Sequence, residues 1–410
     1  MEGWMRIGFR VFTVMLVILS FACAAVVTAD NSGRWRMGTP ITTFWGGPHL
    51  TDGFMGQMKA GSFNLAFAYG EQELEFAQRS NIRVMLYAPD LLNEQMMDDP
   101  VKLAQLDAMI ERVKTIPMMY FYFVTDEPNT AHFAALAKLV AHLRERDPAH
   151  PGYINLLPTY ATNEQLGTKG DVTTAYREYL RQFIKQVKPT LLSYDHYHFF
   201  VNPTTGEKSD GPQYFLNLAL IREAALNANI PFLNIVQGSS WEAGVRIPTV
   251  DEIRWLNYTS LAYGAQAIMY FVFSESFQFE SMKEMNPQFI SIASQLQPLR
   301  SLGAYHVGSV PLGGVALPKN ATVSLSFSGQ GDSLMPASGM LLGYFGKNAM
   351  SKPTHVLVVN LNYKNSVTTT VVGTSKLSLF DTSTGKWTFS NSEKIAVTLP
   401  PGGGKLVRVR

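Results

Sequence analysis

Two adjacent carboxyls, Asp126 and Glu127, follow the apolar run 120–125 and precede Pro128 and Asn129. A carboxyl that stays protonated near neutrality serves as a general acid, and burial beside aromatics and a second carboxylate moves a pKa in that direction. Glu127 is therefore the leading candidate acid, with Asp126 beside it as a further candidate catalytic group. Because residues before proline avoid the right-handed helical region, Pro128 is expected to hold Glu127 in an extended exit from a strand. The competing use of either acid is to cap a helix that begins near Thr130.

A carboxyl acting as general acid is commonly paired with a second carboxylate in a different environment. Residues 232–237 form another apolar run, but it ends on Gln237, and the next acid is Glu242, beside Trp241. Glu242 is the preferred partner, and its alternative is a surface pair with Arg246. Asp195 and Glu275 are the other acids at run ends. Around Asp195 the chain reads Tyr194-Asp195-His196-Tyr197-His198, and strand alternation places Asp195 and Tyr197 on one face and the histidines on the other. Trp45, Tyr69, Asn155, Tyr160, Asp195, His196, Tyr197, Gln237 and Trp241 together suit a ligand with many hydroxyls and apolar ring faces.

These groups need a scaffold that gathers run ends in one place. Short apolar runs at 41–46, 63–69, 83–88, 120–125, 152–157, 191–197, 232–237 and 267–273 alternate with stretches of helical spacing. The clearest of those stretches are 101–114, 131–146, 175–187, 213–227 and 250–263. Eight strand–helix units predict a (β/α)8 barrel, whose strand carboxyl ends form the active-site mouth. A doubly wound sheet is the alternative, but no glycine-rich nucleotide loop follows the first run. Thr249 before Val250-Asp251-Glu252 is a natural N-cap. From residue 304 to 410 the composition turns to Gly, Ser, Thr and Val with alternating strands, which predicts a small antiparallel β-sandwich packed on the barrel.

With the strands in place, the segment Thr125-Asp126-Glu127-Pro128 resembles the acid/base motif of clan A glycoside hydrolases. That resemblance implies a glycosidase that retains anomeric configuration, needs no cofactor, and takes a poly- or oligosaccharide as substrate. It also implies Glu127 as acid/base at strand four and a nucleophile at strand seven, where this chain has Gln237. The usual motif has Asn before the Glu, where this chain has Asp126.

Bulk properties exclude several classes. Hydrophobic residues make up 46% of the chain, charged residues 16%, and the formal net charge is +2. The cations are scattered, so no nucleic-acid surface is expected. Arg6 and Arg10 precede a nearly all-apolar stretch at 11–27, and Val27-Thr28-Ala29 fits a cleavage site, so residues 1–29 read as an export signal for a periplasmic or secreted protein. The single cysteine, Cys23, lies within it, and a lipid anchor there is the one membrane contact expected. The globular part then has no thiol for disulfides or thiolate metal sites. Two other readings are a carbohydrate-binding barrel without catalysis and a metal-dependent hydrolase using His49, His196 and His198. His-x-His alone is a weak metal signal, and no metal is expected.

Overall fold

The computed structural model describes residues 35–327 and 334–410, so the expected export signal and Cys23 lie outside the described residues. Eight parallel strands each precede a helix. They are β1 (Ile41–Phe44), β2 (Leu65–Tyr69), β3 (Arg83–Tyr87), β4 (Met119–Asp126), β5 (Gly152–Leu156), β6 (Leu192–Asp195), β7 (Phe232–Gln237) and β8 (Ala267–Phe271). The helices are α1 (Asp52–Ala60), α2 (Leu74–Ser80), α3 (Pro100–Val113), α4 (Phe133–Arg146), α5 (Val172–Val187), α6 (Tyr214–Ala228), α7 (Val250–Tyr263) and α8 (Phe279–Leu296).

The strands pair in the order β1-β8-β7-β6-β5-β4-β3-β2. Between β1 and β2 the ring is joined by Asn64 N–H to Thr42 O at 3.0 Å and by Thr43 Oγ1 to Leu65 O at 2.7 Å. This is the (β/α)8 barrel expected from the alternation. Period-two alternation splits each strand between two cores. Ile41, Leu65, Phe67, Met85, Phe121, Phe123, Leu233, Ile235 and Met269 fill the barrel. Their neighbours, such as Ala66, Val84, Leu86, Tyr122, Val236 and Ile268, face the helices.

Thr249 caps α7 in a full capping box with Glu252. That helix is buried along most of its length, because the barrel covers one side and the C-terminal sheets cover the other. The latter comprise a six-stranded antiparallel sheet that starts at β9 (Arg300–Val307) and a three-stranded one, with Val356, Val358, Val371 and Leu399 packed between them. The sandwich comes so close that a Cβ on Gly343 would lie 2.3 Å from Ala262 O of α7. Asn257, in the Asn-Tyr-Thr sequon, is buried in that helix and donates to Tyr270 OH at 2.8 Å.

Candidate active site

The carboxyl ends of β4, β5 and β6 carry the site. Asn155 on β5 points inward with Tyr153, as alternation requires. Opposite it, β4 contains an irregularity between Phe123 and Thr125, so that Phe123 pairs with Tyr153, Thr125 with Ile154 and Asp126 with Asn155. A regular strand would have aimed Thr125 inward and Asp126 outward. The extra residue reverses them and brings Asp126 into the mouth.

Asn155 Nδ2 donates to Asp126 Oδ1 at 3.0 Å and to Asp195 Oδ1 at 2.8 Å. Its own Oδ1 accepts from Ser193 Oγ at 3.0 Å, which fixes the amide orientation. Asn155 is 2% exposed, so its part is to hold the two acids rather than to meet a ligand broadly.

Glu127 does not leave the strand extended, as its place before Pro128 suggested. Its φ is +46°, a left-handed backbone costly for a non-glycine residue. Three contacts hold it there: Glu127 N–H donates to Asn155 O at 3.0 Å, Pro128 closes the other side, and Tyr179 OH donates to Pro128 O at 2.8 Å. The turn reverses the side chain toward β6, where its carboxyl is in hydrogen-bond contact with that of Asp195. The helical turn at Thr130 is capped by Asn129, whose Oδ1 accepts from Ala131 N–H at 2.9 Å, so neither acid is used as a cap.

Electrostatics follow from this crowding. Burial, then the charge of Glu127, pushes the Asp195 carboxyl well above the usual carboxylate range. Burial also raises Glu127, against its hydrogen bond to Asp195. Asp126 is pushed up to about 6, first by desolvation and then by Glu127, against the Asn155 hydrogen bond. Asp126 and Glu127 meet solvent on one side, yet protein encloses the others, so desolvation acts on exposed groups. Two carboxyls in contact cannot both ionise near neutrality, and Glu127 and Asp195 hold one proton between them.

Two cavities meet at this point. One, of about 510 Å³, is walled by Trp45, Phe67, Tyr69, Tyr87 and Phe123. The other, of about 730 Å³, is polar, with Asn93, Gln95, Glu127, Asn129, His132 and Gln165. They share Asn93, Val124, Thr125 and Asp126. Trp45 packs on Phe67 and Phe123 at 5.7 and 5.5 Å between ring centroids, and Tyr69 is edge-on to Tyr87 at 5.7 Å. Tyr197, Trp241 and Phe271 form another aromatic group, with Trp241 at 4.4 Å from Tyr197 and 4.8 Å from Phe271. Tyr160 is 45% exposed, and its OH accepts from Tyr197 N–H at 3.5 Å. Burial of the ring's inner side, and then the charges of Asp195, Glu127 and Glu242, raise its phenol, against the hydrogen bond from Tyr197.

Several expectations about single residues are revised. Gln237 is fully buried and is a structural peg. Its Oε1 accepts from Phe199 N–H at 2.9 Å, while Nε2 donates to Phe199 O at 3.0 Å and Arg246 O at 2.6 Å. All its hydrogen-bonding capacity is turned to protein, so it does not fit a ligand-binding role. His196 is 1% exposed and its Nδ1 faces Asn217 Oδ1 at 3.0 Å, between strand and helix rather than in either cavity. Burial lowers it to about 3, and His198, stacked on Trp255 at 4.8 Å, to about 4. His49 is paired with Glu73 at 2.5 Å. His49 lies apart from His196 and His198, which both pack on Tyr214, and among the described residues no three His, Cys, Asp or Glu side chains are grouped to hold a metal ion.

Glu242 is exposed on the loop after β7 and is not paired with Arg246, which binds Glu252 at 2.6 and 2.7 Å. Glu275 is exposed in the loop after β8. The contact of Glu127 with Asp195 and the cavity residues Asn93, Gln95, His132 and Gln165 were not legible in sequence, since loop residues carry no periodic signal. A polar side chain on the inward register of β5, Asn155, was the visible cue.

No family model and no curated protein sequence matches the chain. Among solved structures it is similar to a protein described as an α-galactosidase from Bacteroides fragilis, with 11% identity over 90% of this chain and 78% of that one, at a TM-score of 0.47. It is also similar to a β-L-arabinopyranosidase from Geobacillus stearothermophilus, with 9% identity over 90% of this chain and 96% of that one, at 0.46. A xylanase from Thermoanaerobacterium saccharolyticum is 12% identical over 57% of this chain and 86% of that one, at 0.38.

Proposed function

We propose that this protein is an exported glycoside hydrolase in which Glu127 donates the proton to the leaving oxygen and Asp126 is the carboxylate at the anomeric carbon. The observation that carries this is the meeting of two cavities at Asp126. A saccharide with one ring against Trp45, Tyr69, Tyr87 and Phe123, and the next in the polar cavity, lays its connecting bond across Asp126 and Glu127. Aromatic walls suit the apolar face of a sugar, and Asn, Gln and His suit its hydroxyls.

Asp195 is assigned a positioning role. Glycosidases keep their two working carboxyls about 5–5.5 Å apart for retention or about 6.5–9.5 Å for inversion. Carboxyls in hydrogen-bond contact are closer than either, and Asp195 is only 3% exposed. Asp195 therefore acts through Glu127, keeping a proton on the pair. Retention and the poly- or oligosaccharide substrate rest on the resemblance of the Thr125–Pro128 segment, and export rests on the pattern at 1–29.

A panel of oligosaccharides assayed for new reducing ends tests the reading: native protein releases product and Asp126→Asn does not. The second reading, a binding barrel, is favoured by Gln237, which leaves the end of β7 without a carboxylate. Saccharide binding with no product from native protein establishes that reading instead.

A further inference from the structure

A third cavity, of about 460 Å³, lies at the opposite end of the barrel, between α6, the start of β7, the start of β8 and β9. Its lining includes Arg222, Arg300 and Lys347, with Asn229, Gln266 and Ser301 as polar neighbours, and no Asp or Glu among the described residues. None of the three cations forms an ion pair among the described residues. Arg222 Nε donates to Ser301 Oγ at 2.9 Å and its Nη2 to Ser301 O at 3.3 Å. Arg300 Nη1 donates to Asn229 Oδ1 at 3.3 Å and its Nη2 to Leu226 O at 2.9 Å.

Capping of helix carboxyl ends explains part of this. Helices α6, α7 and α8 all end at the cavity, and each helix end carries about half a negative charge. Together they offset about half of the three positive charges. Only Arg300 reaches such a carbonyl, that of Leu226. Arg222 is half-buried, and burial followed by the neighbouring charge of Arg300 lowers its pKa. Arg222 and Arg300 are partly buried and Lys347 is exposed, and like charges gathered in this way are unfavourable unless an anion accompanies them.

We propose that this cavity binds a compact oxyanion, a phosphate, sulfate or carboxylate group, through Arg222, Arg300 and Lys347. The bound group is either a free inorganic anion or the acidic group of a saccharide, and both present the same oxygens. The site lies away from Asp126 and Glu127, so it serves anchoring rather than bond cleavage, and it stands whether or not the barrel is a glycosidase.

Inorganic phosphate is the probe, titrated calorimetrically and by thermal unfolding against sodium chloride at matched ionic strength. Native protein is expected to bind phosphate and unfold at higher temperature than in chloride, because a ligand of the native state stabilises it. Lys347→Glu, which alters an exposed side chain with no hydrogen-bond partner among the described residues, is expected to weaken phosphate binding by about tenfold or more. Glu127→Gln leaves it unchanged. Competition of a uronic-acid trisaccharide with phosphate identifies an acidic saccharide as the source of the anion, and no competition identifies a free one. Equal effects of phosphate and chloride on native protein, or native-like phosphate binding by Lys347→Glu, overturn the proposal.

Discussion

The carboxyls of Glu127 on the exit of β4 and Asp195 on β6 touch across the mouth of the barrel, and Asn155 on the strand between them holds Asp195 at 2.8 Å. The contact depends on two departures from regular backbone, the irregularity at Phe123/Thr125 and the positive φ of Glu127. Burial raises both carboxyls, so that the pair retains a proton at a pH where an isolated glutamate has lost it, which is what a general acid requires.

Replacing Asp195 by Asn removes the negative charge that keeps the proton on the pair. The basic limb of the pH–rate profile is expected to move to lower pH, with saccharide KM little changed. A uniform loss of activity at every pH, with the limb unmoved, indicates a merely structural Asp195.

Asp126 is raised to about 6, so the folded state favours its neutral form. For a group whose folded pKa lies above its unfolded value, the stabilisation is present below the unfolded pKa, near 4, and is lost as pH rises through about 6. Asp126→Asn escapes that loss. Its stability relative to native protein should rise between about pH 4 and 6 and level off above, measured by denaturant midpoints, while glycoside cleavage falls by about 10²-fold or more. A stability difference that is flat with pH contradicts the electrostatics assigned here.

Glu242 distinguishes the present assignment from one with the nucleophile beyond β7. Exposed and without an ion pair among the described residues, it should tolerate Glu242→Gln with kcat within about threefold, and with any effect confined to KM. Loss of kcat comparable to that of Asp126→Asn transfers the carboxylate role to Glu242.

Gln237→Leu removes three buried hydrogen bonds that tie the end of β7 to Phe199 and Arg246. Leaving those backbone groups unsatisfied should cost about 3 kcal/mol in chemical denaturation. A neutral effect on stability with weakened saccharide binding restores Gln237 to the ligand set.

The barrel was legible because each strand carries its own apolar run, and strand ends in the sequence fall within a few residues of those in the structure. Val250 to Tyr263 was visible as a helix for the same reason, together with its capping box at Thr249 and Glu252. The site was legible only in its ingredients. Asp126, Glu127, Asn155 and Asp195 are conspicuous polar residues at run ends, but which way each points depends on backbone irregularities. A regular alternation turns Asp126 outward, and a rule about residues before proline makes Glu127 extended. Long-range contacts decided both, through the pairing of Asp126 with Asn155 and the hydrogen bond from Glu127 N–H to Asn155 O. Gln237 and His196 show the same limit: a polar side chain at a strand end looks alike in sequence whether it faces a ligand or a neighbouring loop, and here both make hydrogen bonds to protein.

Proton donation by Glu127 is tested most directly by kcat/KM of native protein and Glu127→Gln on aryl glycosides of graded leaving-group pKa. Poor leaving groups need the proton, and good ones do not. Glu127→Gln should lose about 10²- to 10⁴-fold on the poor leaving groups and little on the best, so that the two plots converge. Parallel plots, or full activity of Glu127→Gln on a poor leaving group, contradict the assignment.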